Sequence, residues 1–222
     1  MHFVLDVNET LSDLAPIGDA LERHGAPRVL TRAWFNGVLR DGFALSLQRQ
    51  APPFLQLAEE SVRAVLWDLP APLDRVDEVV DDVMAVLGSL PVHPDVAPGI
   101  RSLVAAGHAV SAFTNGSADS ARDLLERAGV AQQVPQVLSV DEGSVWKPHP
   151  EAYAGAATRL GAAPTDLTMV AVHPWDLDGA SRAGFRTAWL DRHHQPWPTS
   201  FSRPDIRVRD LTELAATISL GS

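Results

Sequence analysis

The side chains in this sequence that are able to do acid, base or nucleophilic chemistry stand just beyond short apolar runs. Asp6 closes the first of them, Phe3-Val4-Leu5. A carboxylate there can cap the next helix. It can also serve as a nucleophile, if a cation keeps it ionised and hydrogen-bond donors orient it. Lys147 is the cation available, in a turn stiffened by Trp146, Pro148 and Pro150, and Thr10 and Thr114 are the donors. Asn115 and Ser117 precede a helix and suit its cap, while the N–H groups of that helix start favour a bound anion. Tyr153 reads equally as a core aromatic or a site hydroxyl. His173 could donate to an anion, help to activate water near neutral pH, or simply pack beside Trp175. Asp176 could cap a helix beginning near Gly179, and Asp178 reads as a cap or surface residue.

The elements that must position these groups follow from the pattern of the chain. After the first strand, the predicted helices are Pro16–His24, Thr31–Gln48, Ala58–Asp68 and Asp74–Leu87, separated by Ala51-Pro52-Pro53 and Leu69-Pro70-Ala71-Pro72. Beyond Pro91 the pattern alternates. Helices are expected at Ala97–Ala106, Ala118–Ala128, Glu151–Leu160 and Gly179–Ala183, and strands at Ala109–Phe113, Gln136–Ser139, Thr168–Val172 and Thr187–Leu190. Pro196–Pro204 reads as a loop before a last strand and helix. This alternation predicts an α/β fold, a Rossmann-like parallel sheet with helices on both faces. Its core would be residues 1–13 and 89–222, with a small helical-bundle cap at 14–88 inserted after the first strand. Ligands of such sheets collect beyond the strand C-termini, where Asp6, Thr114 and His173 all fall.

Composition narrows the function classes. The 222 residues are 45% hydrophobic and 21% charged, as in a soluble globular protein. A net charge of −10 without a basic run argues against a nucleic-acid partner. There is no cysteine, which excludes disulfides, thiol nucleophiles and thiolate metal sites. No secretion signal is evident and no segment reaches the roughly 18 apolar residues of a membrane span, so a cytoplasmic location is expected and no membrane partner.

Four segments together resemble the signatures of the haloacid-dehalogenase superfamily. They are Asp6-Val7-Asn8-Glu9-Thr10-Leu11, Phe113-Thr114-Asn115-Gly116-Ser117, Lys147-Pro148 with Tyr153 six residues after the lysine, and Val172-His173-Pro174-Trp175-Asp176-Leu177-Asp178-Gly179-Ala180. The second, third and fourth are most similar to those of the type II 2-haloacid dehalogenases. The resemblance implies hydrolysis of short 2-haloalkanoic acids through an ester on Asp6, with Thr10, Lys147 and Asp176 catalytic and Asp176 placing the water. It gives Thr114, Asn115, Tyr153 and His173 a part in the site, with Trp34 and Phe35 on the cap side. It implies a small carboxylic acid as partner, no organic cofactor and no required metal. Similar dehalogenases are often dimers, so a homodimer is the implied assembly.

The pattern also departs from the family. Phosphatases of the superfamily carry a second aspartate two residues after the nucleophile, where Asn8 stands, and an amide cannot shuttle a proton. Their fourth signature begins with Gly-Asp, matched here by Ala171-Val172. A magnesium-dependent phosphatase, the main alternative, would have only Asp6 and Asp176 to hold the metal. Dehalogenases place an arginine directly after the early cap tryptophan, and here Phe35 follows Trp34. They carry an asparagine where this chain has His173, and a serine where it has Ala171. Arg40 or Arg32 could supply the missing guanidinium, or both could be solvated surface residues. A third reading is a non-catalytic relative that binds a small anion or a protein.

Overall fold

The computed structural model describes residues 1–69 and 75–220. Strand β1 (His2–Leu5) leads through a loop into helices α1 (Ala15–Arg23), α2 (Leu30–Ser46), α3 (Phe54–Trp67) and α4 (Val76–Leu87). The break expected at Pro70-Ala71-Pro72 and the expected start of the fourth helix at Asp74 lie outside the described residues. Then come α5 (Val96–Ala105), β2 (Ala109–Thr114), α6 (Ala118–Arg127), β3 (Gln136–Ser139), α7 (Pro150–Leu160), β4 (Leu167–Ala171), α8 (Pro174–Arg182), β5 (Arg186–Leu190), β6 (Ile206–Val208) and α9 (Leu211–Leu220).

The six strands form one sheet in the order β3-β2-β1-β4-β5-β6, and every adjacent pair is parallel. The strand order reverses beside β1, the crevice where ligands of such sheets bind. The unbroken apolar run of β1 follows from burial on both faces. Phe3 and Leu5 pack with α5, α6 and α9, whereas Val4 joins the cluster containing α7, α8 and the helices α1–α4. On α2, Trp34, Phe35, Val38, Leu39 and Gly42 form one buried stripe at helical spacing. Gly42 is small for a reason: a Cβ there would collide with the Trp146 ring.

Two predicted helix starts move. Pro53, extended at ψ 138°, starts α3 at Phe54, ahead of the expected Ala58. α8 begins at Pro174, five residues before Gly179. Proline suits the first helical position, where its fixed φ fits and no N–H is missed. Asp176 therefore sits inside the first turn of α8, buried, and does not cap the helix. No helix among the described residues is long and apolar enough to cross a membrane.

Candidate active site

Asp6 follows the C-terminal end of β1, its N–H donating to the Val170 carbonyl at 3.0 Å. Its carboxylate is buried, and both of its oxygens accept hydrogen bonds. Oδ1 accepts from Lys147 Nζ at 2.9 Å, and Oδ2 accepts from Thr10 Oγ1 at 2.6 Å with His173 Nδ1 3.1 Å away. Thr10 Oγ1 in turn accepts from the Val172 N–H at 3.1 Å, which ties the loop after β1 to the end of β4. The helix-cap alternative fails, because α1 starts at Ala15 and Leu14 stands at its cap.

Lys147 has no exposed surface, and all three of its ammonium protons find acceptors. They go to Asp6 Oδ1, Asp176 Oδ2 at 2.8 Å and the Phe113 carbonyl at 2.9 Å. A buried charge is tolerable only when paired and hydrogen-bonded in this way. The second signature holds the lysine in place. Asn115 Oδ1 accepts from the Lys147 N–H at 2.9 Å, and its Nδ2 donates to the Lys147 carbonyl at 3.1 Å. Trp146 adds a tie to the other side, donating from its N–H to Ser46 Oγ and from its indole to the Pro52 carbonyl.

Asp176 is equally enclosed. Its Oδ1 accepts from the Tyr153 hydroxyl at 2.7 Å, and Gly179 makes room for that ring, since a Cβ there would stand 2.7 Å from Tyr153 Oη. The two aspartates that share Lys147 differ electrostatically. Burial alone would raise the Asp6 carboxyl, but Lys147 and the bonds from His173 and Thr10 outweigh it and hold the group well below the usual carboxylate range. Asp176 goes the other way. Burial pushes it up, and the nearby negative charge of Asp6 adds to that against the pull of Lys147. One carboxylate is thus fixed as an anion and its neighbour is the better proton acceptor.

His173 bridges Asp6 to a residue that the motif reading passed over, Glu9, whose Oε2 lies 2.9 Å from Nε2. The ring is held between Phe35 and Trp175, both at 27° to it, with centroids 5.9 and 5.0 Å away. Burial opposes its charged form, but bonds to the two carboxylates prevail and raise its pKa to about 9. At neutral pH it is an imidazolium that donates from both nitrogens. Glu9 escapes periodicity arguments because its backbone is in the left-handed region, at φ 59°, which turns its side chain toward His173. The one available sequence signal was a charge beside the signature threonine. Arg192, also unanticipated, donates to the Thr10 carbonyl at 2.8 Å and to Asp95.

Several expected site residues lie elsewhere or do other work. Trp34 is sealed among the helices, with its indole donating to the Ala58 carbonyl at 2.8 Å, because a large aromatic on the buried stripe of α2 belongs to the core. Arg40 points to solvent and pairs with neighbouring Asp41, away from Asp6. Thr114 Oγ1 accepts from the Gly116 N–H at 2.8 Å, serving its own turn and not Asp6. Asn115 and Tyr153 position Lys147 and Asp176. Ser117, as expected, caps α6 by accepting from the Ser120 N–H. Phe35 and His173 do meet at the site. Arg32 stays exposed, at the mouth of a cavity of about 280 Å³ outside His173 that Glu9, Phe35 and Arg192 also line.

The residues present do not fit a magnesium site. The Lys147 ammonium lies between Asp6 and Asp176, two donors occupy Asp6 Oδ2, and no third acidic group joins them among the described residues.

A family model described as haloacid dehalogenase-like hydrolase matches residues 2–184. The chain belongs to this family. Among its haloacid dehalogenase-like relatives, (S)-2-haloacid dehalogenase 4A of Burkholderia cepacia is 28% identical, over 95% of this chain and 91% of that protein. A phosphoserine phosphatase of Thermus thermophilus is 31% identical over 76% of this chain and 67% of its own length. The structure of L-2-haloacid dehalogenase from Xanthobacter autotrophicus with chloropropionic acid covalently bound superposes with a TM-score of 0.87 at 25% identity, covering 98% of each chain. A further dehalogenase crystal structure gives a TM-score of 0.91 at 27% identity, covering 97% of this chain and 96% of that one. The expected α/β fold with its parallel sheet and the family resemblance are both borne out.

Proposed function

We propose that this hydrolase dehalogenates short 2-haloalkanoic acids through an ester on Asp6. The observation that carries the reading is the state of Asp6 itself. It is a buried carboxylate kept ionised by Lys147, Thr10 and His173, with an amide, Asn8, where phosphate chemistry needs a second acid.

In the first step an Asp6 oxygen attacks the carbon bearing the halogen. The new C–O bond forms as the carbon–halogen bond breaks, and the halide leaves with the electron pair. Among the described residues Oδ1 accepts from Lys147 alone and so keeps a lone-pair direction for this attack, whereas Oδ2 is filled by Thr10 and His173. In the second step water adds to the Asp6 carboxyl carbon and the ester opens on its carbonyl side. One water proton ends on the 2-hydroxy acid, and Asp176, whose proton affinity burial raises, takes the other and releases it to solvent. Lys147 supports both steps by neutralising whichever carboxylate is charged. The His173 imidazolium, where the resemblance would place an asparagine, helps Lys147 and Thr10 hold Asp6 as an anion.

No organic cofactor and no metal is required in this scheme, helices α1–α4 of residues 14–88 act as the cap, and the setting is cytoplasmic. The substrate is the partner, with no role for nucleic acid, and assembly as a homodimer is open to size measurement in solution. The similarity to a phosphoserine phosphatase favours the second reading, phosphate-ester hydrolysis, but the donor set around Asp6 opposes it. A non-catalytic relative would have no use for a lysine bonded to two buried carboxylates.

The test incubates the protein and Asp6→Asn with a panel of 2-haloacids and with an aryl phosphate, with magnesium or with EDTA. Halide release that survives EDTA and vanishes in the variant is expected. Magnesium-dependent phosphate release would replace the proposal with the second reading, and silence on both panels with the third.

A further inference from the structure

Lys147 is the only lysine in the chain, and the residue before it is anchored in the cap. Trp146 and Lys147 are both sealed from solvent, but they face different partners. Lys147 reaches into the core, to Asp6, Asp176 and the Phe113 carbonyl. Trp146 reaches the other way. Its N–H donates to Ser46 Oγ at 2.8 Å and its indole to the Pro52 carbonyl at 3.2 Å. Its ring stacks on Phe54, with centroids 5.9 Å apart and planes at 20°, and fills the space that a Cβ on Gly42 would need.

Both N–H groups of Trp146 therefore end on residues of the cap. Its carbonyl stays in its own turn, accepting from the His149 N–H at 2.9 Å. If the cap shifts, either Trp146 follows or two buried donors lose their acceptors, and buried donors are rarely left so. A planar peptide joins Trp146 to Lys147 with Cα atoms about 3.8 Å apart, so displacement of one is felt at the next. Asn115 grips the Lys147 peptide from the core side, through its N–H and its carbonyl. The lysine thus stands between two holders, one in the core and one in the cap. Arg49 and Glu151 add an ion pair across the same seam, at 2.7 and 2.8 Å.

Helix α2 carries this contact. Gly42 and Ser46 lie one turn apart on its buried face, both against Trp146. Phe35, about two turns before Gly42 on the same stripe, stacks on His173. One helix face bears on both charged neighbours of Asp6, on Lys147 at Oδ1 through Trp146 and on His173 at Oδ2.

We propose that Trp146, Ser46 and Gly42 are positioning residues through which the cap holds Lys147 at Asp6, so that the nucleophile has its cation only while the cap is docked. An undocked cap draws Trp146 and Lys147 back and leaves Asp6 and Asp176 without their shared counter-charge. Attack is then confined to the closed cleft, where water is excluded from the reacting groups. The kinetic part rests on the dehalogenase reading, whereas the hold on Lys147 is measured without it.

Because there is one lysine, acetylation by acetic anhydride and peptide mass spectrometry read its exposure directly, with the N-terminal amine as internal reference. Rates are compared for wild type, Ser46→Ala, Gly42→Ala and Ser61→Ala, alongside kcat for 2-chloropropionate. Ser61 is the control, since its hydroxyl makes a buried bond within the cap, to the Trp34 carbonyl, that does not involve Trp146. Ser46→Ala and Gly42→Ala should speed Lys147 labelling about tenfold, the scale of one lost buried hydrogen bond or one overpacked methyl, and lower kcat by a similar factor. Ser61→Ala should change neither by more than about twofold.

If wild type turns over no haloacid while labelling follows this order, the hold on Lys147 stands and the dehalogenase reading falls. Labelling that is unchanged in Ser46→Ala, or as fast in Ser61→Ala, refutes the hold. Faster labelling with wild-type kcat also refutes the proposal, because Lys147 would then do its work without the cap. Ser46→Ala removes a single hydroxyl, so the test survives a Gly42→Ala protein that does not fold.

Discussion

Lys147→Met removes a charge and keeps the bulk of the stem, so its effect isolates what the ammonium does. In the wild type that ammonium satisfies Asp6, Asp176 and the Phe113 carbonyl, with no exposed surface. Without it, Asp6 keeps Thr10 and His173, whereas Asp176 keeps only the Tyr153 hydroxyl for its carboxylate. Breaking a buried ion pair from one side costs about 3–5 kcal/mol, a large part of the roughly 5–15 kcal/mol that holds a domain together. The loss should depend on pH, with a definite sign. Asp176 is already raised by burial, and losing Lys147 raises it further. A carboxyl raised in the folded state binds its proton there first, so the variant regains stability relative to wild type as pH falls. The slope is about 1.4 kcal/mol per pH unit for one proton. Urea unfolding followed by tryptophan fluorescence at pH 8, 6.5 and 5 measures it. The gap to wild type should be largest at pH 8 and narrow by about 1–3 kcal/mol at pH 5, and Lys147→Met/Asp176→Asn should recover much of the loss at pH 8. A deficit under about 1 kcal/mol that is the same at all three pH values would show that the ammonium is not neutralising buried carboxylates, and the electrostatic account of the site would fall.

The other expectations concern neighbouring parts of the site. His173 is raised from 6.5 to about 9, so its stabilising effect is complete below pH 6.5 and is lost as pH rises through 9. That amounts to about 3 kcal/mol at most, and His173→Asn should flatten this alkaline limb of a urea-midpoint profile, whereas an unchanged limb would remove the imidazolium from the argument. Gly179→Ala puts a methyl against Tyr153 Oη and Pro148, displacing the hydroxyl from Asp176. It should lower kcat at least tenfold and cost about 1–3 kcal/mol in stability, and wild-type kcat would show that Tyr153 does not position Asp176. Gly42→Ala should destabilise the contact between α2 and the Trp146 turn by a similar 1–3 kcal/mol, read as a lower melting temperature. Arg40→Ala should leave both kcat and KM within about twofold, because this exposed side chain pairs with neighbouring Asp41, away from Asp6. A large rise in KM would return Arg40 to the site.

What could be read from the chain by itself depended on local constraint. The apolar run of β1, the glycines and prolines at helix ends, and four short signatures each impose a local geometry. They were enough to foresee the parallel sheet, the helices after β1 and the placing of Asp6, Thr10, Lys147 and Asp176 near one another. The tertiary structure alone decided what each polar atom bonds to. Trp34 and Phe35 are adjacent on α2 and both buried, yet a rotation of 100° per residue points Trp34 at the Ala58 carbonyl and Phe35 at the His173 ring. Asn115, Tyr153 and Thr114 looked like groups for the substrate, but a buried backbone or carboxylate must be satisfied, and those obligations claimed them first. Glu9 shows the limit most clearly. Nothing in its spacing announces a partner, and only a left-handed backbone, held by neighbouring Ser12 and by His93 from a distant part of the chain, brings its carboxylate onto His173.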